Sequence, residues 1–528
     1  MFRENNGHLQ QDIFSTENQF SDFQRKRFEK SKEVHFYNEV FCRIDETLFD
    51  VLYSKKYSRP NSPVNSLVGS LILQEARGWT DSTLFDEISF NLLVRHALGL
   101  QDSATIPFNE ATYYNFQNRL LAFEDSTGIN LMDEVRKSIT AKQLKEYEVN
   151  GEIQRMDSFQ LFSNIRKRNR VELLVEVLIR LYRALPEELQ AKIKPTVLCY
   201  TEKTSVEFVG GLPKAEMPHA LELLAKVYRE VHDMLQECCS ELPEFNNIAR
   251  AMNDHFSYES EKIIVREPKD IPSGALQSPD DTDATFRTKS GENFQGFVGN
   301  VTETATVTEI DPETNKPVKK LRLITDVAVE PNTVQDVTLL KNRLPDILAL
   351  TPELNELHAD GAYGGPTVDP LLKTHEIVLI QTAVTGSKAI VEMSYEVTDS
   401  GGILVSCPFD QTVESQLVKS NFKAEFDDEK CSKCPFEAEC PAKKSGKVRV
   451  FRFGEKAVNS AQRRDSRKNI PVERQTIRAN VEATVKDFVR LLNHKGKLKT
   501  RGLFKARLFA IAASIYINCG RIYRMKVA

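Results

Sequence analysis

"LHADGAYGG", residues 357–365, carries apolar character into Asp360 and then turns Gly- and Tyr-rich. A short strand that ends on a carboxylate has two readings. The carboxylate can cap the turn that follows, or it can be a metal ligand fixed at the end of a rigid strand. The choice depends on whether other carboxylates can join it.

Working outward, "NELHAD" reads as a strand ending at Asp360, and "EIVLIQTAV" (376–384) as a second strand. "DVTLLKNRLPDILAL" before them has helical spacing. "GFVGNVTETATVTEI" and "KKLRLITDVAVEP", joined by the turn-rich "DPETNKP", read as a hairpin. "GEIQRMDSFQLFSNI" (151–165) alternates like a strand centred on Asp157. Residues 166–265 read as helix, with strongly amphipathic "RVELLVEVLIRLYRAL" and "HALELLAKVYREVHDMLQECC", and 271–296 as a loop. A turn-rich segment with cysteines fills 395–455, and two helical stretches close the chain. With the two insertions (about 166–270 and 395–455) removed, a mixed α/β layer of about five strands remains, covered by helices.

Upstream, residues 1–35 read as a flexible arm or surface helix and 36–150 as a separate all-α domain. "NEATYYNFQNRLLAFE" begins at Asn109 as a cap and offers Tyr113, Tyr114, Asn118 and Arg119. Three short helices here fit a helix-turn-helix-like DNA-binding unit or a plain bundle with half-buried tyrosines. Residues 151–528 read as one further region, built on the mixed α/β layer.

The chain has 528 residues, 41% hydrophobic and 28% charged, the balance of a globular protein of several domains. Its polar start does not read as a signal peptide, and the longest apolar stretch, 508–519, is too short to span a membrane. Nine cysteines without a secretory context imply a reducing, intracellular setting. From Pro441 onward, 23 Lys and Arg face five Asp and Glu, in a chain whose net charge is −4. Such an excess is what a polyanion-binding surface needs, or it forms solvated helix faces. Lys443, Lys444, Arg463, Arg464, Arg467 and Lys468 are the candidate phosphate contacts.

Asp157 and Asp360 lie on strands, and Glu482 lies on the helix "RANVEATVKDF". If the fold unites them, their mutual repulsion calls for a hard cation, Mg²⁺ or Mn²⁺. The alternatives are a turn for Asp157, a cap for Asp360 and a helical ion pair of Glu482 with Arg478 or Lys486. Cys407, Cys431, Cys434 and Cys440 fall within 34 residues, as Zn²⁺ ligands or as reduced thiols in a compact loop.

In order and surroundings, "RMDSFQLFSNIRKRNRVELL", "LHADGAYGG" and "RANVEATVKDFVRLLN…RGLFKARLFAIAASIYIN" resemble the three signature regions of bacterial insertion-sequence transposases of the DDE type. "GENFQGFVGNVTETA" and "LITDVAVEPNTVQD" resemble the segment between that family's first two acids. Residues from Ile44 to Leu100 resemble its helical N-terminal domain. The resemblance implies an RNase H-like core with Asp157, Asp360 and Glu482 as the catalytic, metal-binding triad. It implies that Arg478 contacts phosphate, and that water and then a 3′-hydroxyl attack DNA without a covalent protein intermediate. Gln475 stands where a related branch places Tyr. Val489, with Arg490 beside it, stands where that branch has Lys. The partners expected are double-stranded DNA, as element ends and target, and a second copy of the chain, since two ends must be joined. The expected location is the bacterial cytoplasm, in association with the nucleoid. The rival readings are a nuclease of the same fold and a domesticated DNA-binding protein.

Overall fold

A computed structural model describes residues 1–527 apart from 11–15, 57–58, 101–105, 260–261, 290, 308–311, 314–317, 319, 382–390, 399–401, 419, 469, 472–473, 475–476, 479–480 and 493–495.

The centre is a curled mixed sheet. Its strands are β1 (Ile153–Phe162), β2 (Thr285–Lys289), β3 (Glu292–Thr304), β4 (Ile324–Pro331), β5 (Glu356–Ala359) and β6 (Val378–Gln381). β1 pairs antiparallel with β3 on one side and parallel with β5 on the other, and β5 pairs parallel with β6. The far edge of β3 pairs first with β2 and then, beyond Gly296, with β4. Gly296 has φ +150, and a Cβ there would sit 2.2 Å from the Leu161 carbonyl oxygen, so the changeover between partners needs glycine. The expected hairpin and the two strands expected after the helix are present, the second as Val378–Gln381, with 382–384 of its expected span outside the described residues.

The period of two along β1 divides the two faces of the sheet. Met156 packs with Leu340, Leu344 and Ile347 of the helix Asp336–Leu350. Phe159 and Leu161 face a larger core shared with the N-terminal helices and the last helix. Four N-terminal helices matter here: α1 (Val64–Arg77), α2 (Asp81–Phe90), α3 (Glu110–Thr127) and α4 (Leu131–Glu146). Their ends follow the expected chemistry. Gly78 and Gly128 close α1 and α3 with φ +68 and +74, and Thr80, Asn109 and Asn130 cap the starts of α2, α3 and α4. Arg136 on α4 is fully buried, bonded to Asp133 at 2.6 Å and to Asp326 of β4 at 3.2 Å. It fastens the helices to the sheet, because removing one partner of a buried pair leaves an uncompensated charge. Residues 22–39, read in part as arm, contain two short helices, Asp22–Glu29 and Lys32–Glu39.

The first insertion has its own apolar core, built from helices such as Arg170–Ala184 and Met217–Cys239. Phe256–Glu259 and Lys262–Val265, in a stretch read as helix, are instead two strands paired antiparallel. The β-branched "KIIV" strand fits a pleated surface better than a helix. The second insertion, read as turns, contains a three-stranded and a four-stranded sheet between 394 and 453. Strands of three to seven residues interleaved with charges leave little periodic signal.

Three helices follow: α5 (Glu455–Lys468), α6 (Val481–Leu491) and α7 (Leu503–Val527). By length and composition α7 could cross a membrane, but 67% of its apolar window is buried, against α1 and β4 among others. It is the core helix of this assembly.

Candidate active site

The β1–β5 register pairs Ile153 with Glu356 and Arg155 with His358. Continued by two residues, it sets Asp157 level with Asp360, where the strands diverge. Asp157 is buried, with 8% exposure, and accepts the Ser158 N–H at 3.0 Å. Burial pushes its carboxyl above the ordinary value, the Arg478 guanidinium opposes that, and the neighbouring Asp360 charge adds to the rise. Lys289, on the β2–β3 hairpin, also bears on Asp157. Sequence reading missed that lysine because the curl of the sheet, not the spacing, brings it there.

Asp360 follows β5 directly and accepts the Ala362 N–H at 2.6 Å. The turn-capping reading therefore holds, and it does not compete with the other, because a capped carboxylate is held in a fixed direction. Tyr363 is fully buried and donates to Asn300 at 2.6 Å, so it offers no stacking surface. Gly364 leaves room for protein: a Cβ would lie 2.7 Å from Gln381 Oε1 and 3.0 Å from Arg463 Cδ.

Glu482 opens α6 and is exposed. The helix reaches the site because Phe488 packs on Phe159 of β1, with the rings tilted and 5.2 Å between their centroids. Arg478 joins the acids, lying 3.0 Å from Asp157 and 3.6 Å from Glu482. The helical ion-pair reading of Glu482 is thus also present. The structure gathers Asp157, Asp360, Arg478 and Glu482 at one end of the sheet. Among the described residues, no three His, Cys, Asp or Glu side chains form a ready metal-ligand set. The Arg478 guanidinium, itself a cation, lies between Asp157 and Glu482, and carboxylate oxygens are donors of the type that a hard divalent ion takes.

The expected phosphate contacts divide. Arg463 donates two bonds to Asp369, at 2.6 and 2.7 Å, and packs beside Gly364, so it anchors α5 and is not free for DNA. Arg464 lies 3.8 Å from Glu392. Lys444 is exposed yet paired with Asp428 at 2.6 Å, and Lys443 beside it is exposed. Lys468 reaches its helical neighbour Asp465 at 3.5 Å, and Arg490 reaches Asp487 at 3.2 Å. The side chain of Arg467, and Gln475 as a whole, lie outside the described residues. On α3, Tyr113 is buried and Tyr114 donates to Asp81, while Arg119 is exposed and covers the Tyr53 ring at 5.2 Å.

Cys407, Cys431, Cys434 and Cys440 together line one cavity of about 20 Å³ with Val391, Met393 and Phe426. Gln411 Nε2 donates to Cys431 Sγ at 3.3 Å, and the Phe436 N–H donates to Cys434 Sγ at 3.4 Å. Burial pushes the Cys431 thiol up. All four are free thiols, and among the described residues no three of them are close enough to form a ready ligand set.

Two family models match the chain. One is described as "Transposase DDE domain" and covers residues 406–523; the other is "Transposase domain (DUF772)" and covers 25–119. The first takes in the cysteine cluster, Arg478 and Glu482, and the second takes in α1, α2 and most of α3. No curated protein and no solved structure matches the chain.

Proposed function

The two matches support an insertion-sequence transposase of the DDE type, and on that premise we propose that the protein binds the terminal inverted repeats of its own element and catalyses metal-dependent DNA cleavage and strand transfer. One observation carries this reading. Asp157 on the central strand is level with Asp360 on its parallel neighbour, and Arg478 ties Asp157 to Glu482. The strand order, with β3 antiparallel to β1 and with β5 and β6 parallel to it, supports an RNase H-like core.

Asp157, Asp360 and Glu482 would hold Mg²⁺ or Mn²⁺. When bound, the ion lowers the pKa of a water or 3′-hydroxyl and neutralises charge on the scissile phosphate. The chain's own residues do the rest. Burial keeps Asp157 poorly solvated, so a cation is favoured beside it. Arg478, which lies beside Asp157 and Glu482, would contact the phosphate, for which its planar fork is suited. Lys289, Lys443, Lys444, Lys468, Arg490 and Arg119 supply backbone contacts. Two ends must be joined, so the working form is a dimer or larger, acting on chromosomal DNA in the cytoplasm. Four thiols around one cavity support a structural Zn²⁺ in the second insertion.

The test is cleavage of DNA from the native locus in Mg²⁺ or Mn²⁺, wild type against Asp360→Asn. Defined cuts at the element ends, reduced about 10³-fold in the variant, are expected for the loss of several kcal/mol of charge stabilisation. Cleavage undiminished in Asp360→Asn overturns the reading, and tight DNA binding without cleavage by either protein favours the domesticated binder.

A further inference from the structure

Glu303, on β3, is fully buried. Its Oε1 accepts Arg155 Nε at 2.6 Å. Its Oε2 accepts Arg521 at 2.7 Å and the Thr484 hydroxyl at 2.7 Å. Arg521 also donates to Thr484 Oγ1 at 2.6 Å. Arg155 uses its remaining reach on the Ile477 carbonyl, at 3.0 Å.

These five contacts touch every element of the carboxylate site except β5. Arg155 lies two residues before Asp157 on β1. Ile477 immediately precedes Arg478. Thr484 lies two residues after Glu482 on α6, and Arg521 belongs to α7. Burial alone would drive the Glu303 carboxyl up, but Arg521 and Arg155 hold it below its ordinary value, so it stays ionised. An ionised carboxylate without water is costly unless every lone pair is used. Here the donors that satisfy it come from three separate elements. The arrangement has one low-energy geometry, and that geometry fixes the position of α6 along β1.

Glu482 is exposed and meets only Arg478 among the ion pairs of the described residues, so its own side chain does not hold it in place. Packing of Phe488 on Phe159 holds the helix against the strand, but an apolar ring contact permits sliding. A directional hydrogen bond does not. We propose that Glu303 is a positioning residue for the carboxylate site: through Thr484 it sets the register of α6 and so the reach of Glu482, and through Arg155 it holds the Ile477–Arg478 turn beside Asp157. This rests on the proposed cleavage function.

Replacing Glu303 would strand the buried Arg155 guanidinium and the half-buried Arg521 guanidinium, and such a variant can fail to fold. The test therefore uses Thr484→Val in the full chain, which removes the arm to α6 while keeping side-chain shape, with Thr484→Ser to restore the hydroxyl and Asp360→Asn as reference. Cleavage of native-locus DNA is followed against DNA and Mg²⁺ concentration. Thr484→Val is expected to lose about 10- to 100-fold in kcat, the usual cost of a lost outer-shell partner. KM for DNA should be unchanged, the Mg²⁺ midpoint raised, and Thr484→Ser near wild type. Wild-type kcat and Mg²⁺ midpoint in Thr484→Val, while Asp360→Asn is dead, overturn the positioning role alone. If wild type does not cleave, or Asp360→Asn cleaves like wild type, the carboxylate reading fails and the positioning role falls with it.

Discussion

The carboxylate site and the cysteine cluster are both groups of side chains of types that can ligate metals, yet they are assembled in opposite ways. Asp157, Asp360 and Glu482 come from three distant parts of the chain, and only strand order and the packing of α6 on β1 bring them to one place. The four cysteines come from one short stretch of chain, and its own small strands and turns set them around one cavity. The first site depends on the whole topology and sits on the rigid sheet. The second depends on its own lobe. A substitution among the carboxylates should therefore alter chemistry with little cost to the fold, and a substitution among the thiols should do the reverse.

The larger effect on stability is expected at the thiols. Replacing Cys431 and Cys440 together by Ser puts two hydroxyls into half-buried apolar surroundings, at about 1–3 kcal/mol each when unpaired. Thermal unfolding should show that loss, and atomic absorption should show less zinc than in wild type. Equal zinc content and equal stability would erase the contrast between the two sites.

The smaller effect, opposite in sign, is expected at Asp157. Its carboxyl is held above the ordinary value by burial. That favours the folded state fully only below the unfolded carboxylate pKa, and the contribution is lost as pH rises through the folded value. Ionised Asp157 therefore costs stability at neutral pH. Asp157→Asn should be at least as stable as wild type near pH 7, with its relative advantage shrinking toward pH 4, when both are followed by urea unfolding. Mg²⁺ should raise the stability of wild type and not of the variant. A variant less stable at pH 7 than at pH 4, relative to wild type, would mean that Asp157 is a structural ion-pair partner of Arg478.

Much of this was legible in the sequence. Asp157 on a strand, the hairpin after it, the helix 336–350 and Asp360 at a strand end all follow from apolar periodicity and turn residues. Periodicity is silent on pairing partners, and there the reading stopped. Arg463 looked like part of a basic run, but its partner Asp369 is 94 residues away. Tyr363 lies three residues after Asp360, yet Asn300 on β3, 63 residues upstream, claims its hydroxyl. Nothing in the sequence singles out Arg155 and Glu303, and only antiparallel pairing of β1 with β3, Arg155 opposite Glu303, makes them a buried pair. The N-terminal helices were read as a separate unit. Their apolar residues run into the same core as Phe159, Val301 and Ile511, a continuity that local composition does not encode.

The most direct test of the central claim changes the chemistry of one ligand and not its presence. Asp360→Cys puts a soft thiolate where a hard oxygen stood, which disfavours Mg²⁺ far more than Mn²⁺. With DNA from the native locus, the account predicts that Asp360→Cys is inactive in Mg²⁺ and regains cleavage at the element ends in Mn²⁺, while Asp360→Asn is inactive in both. Cleavage by Asp360→Cys in Mg²⁺ at the wild-type rate would contradict the claim that Asp360 holds the metal.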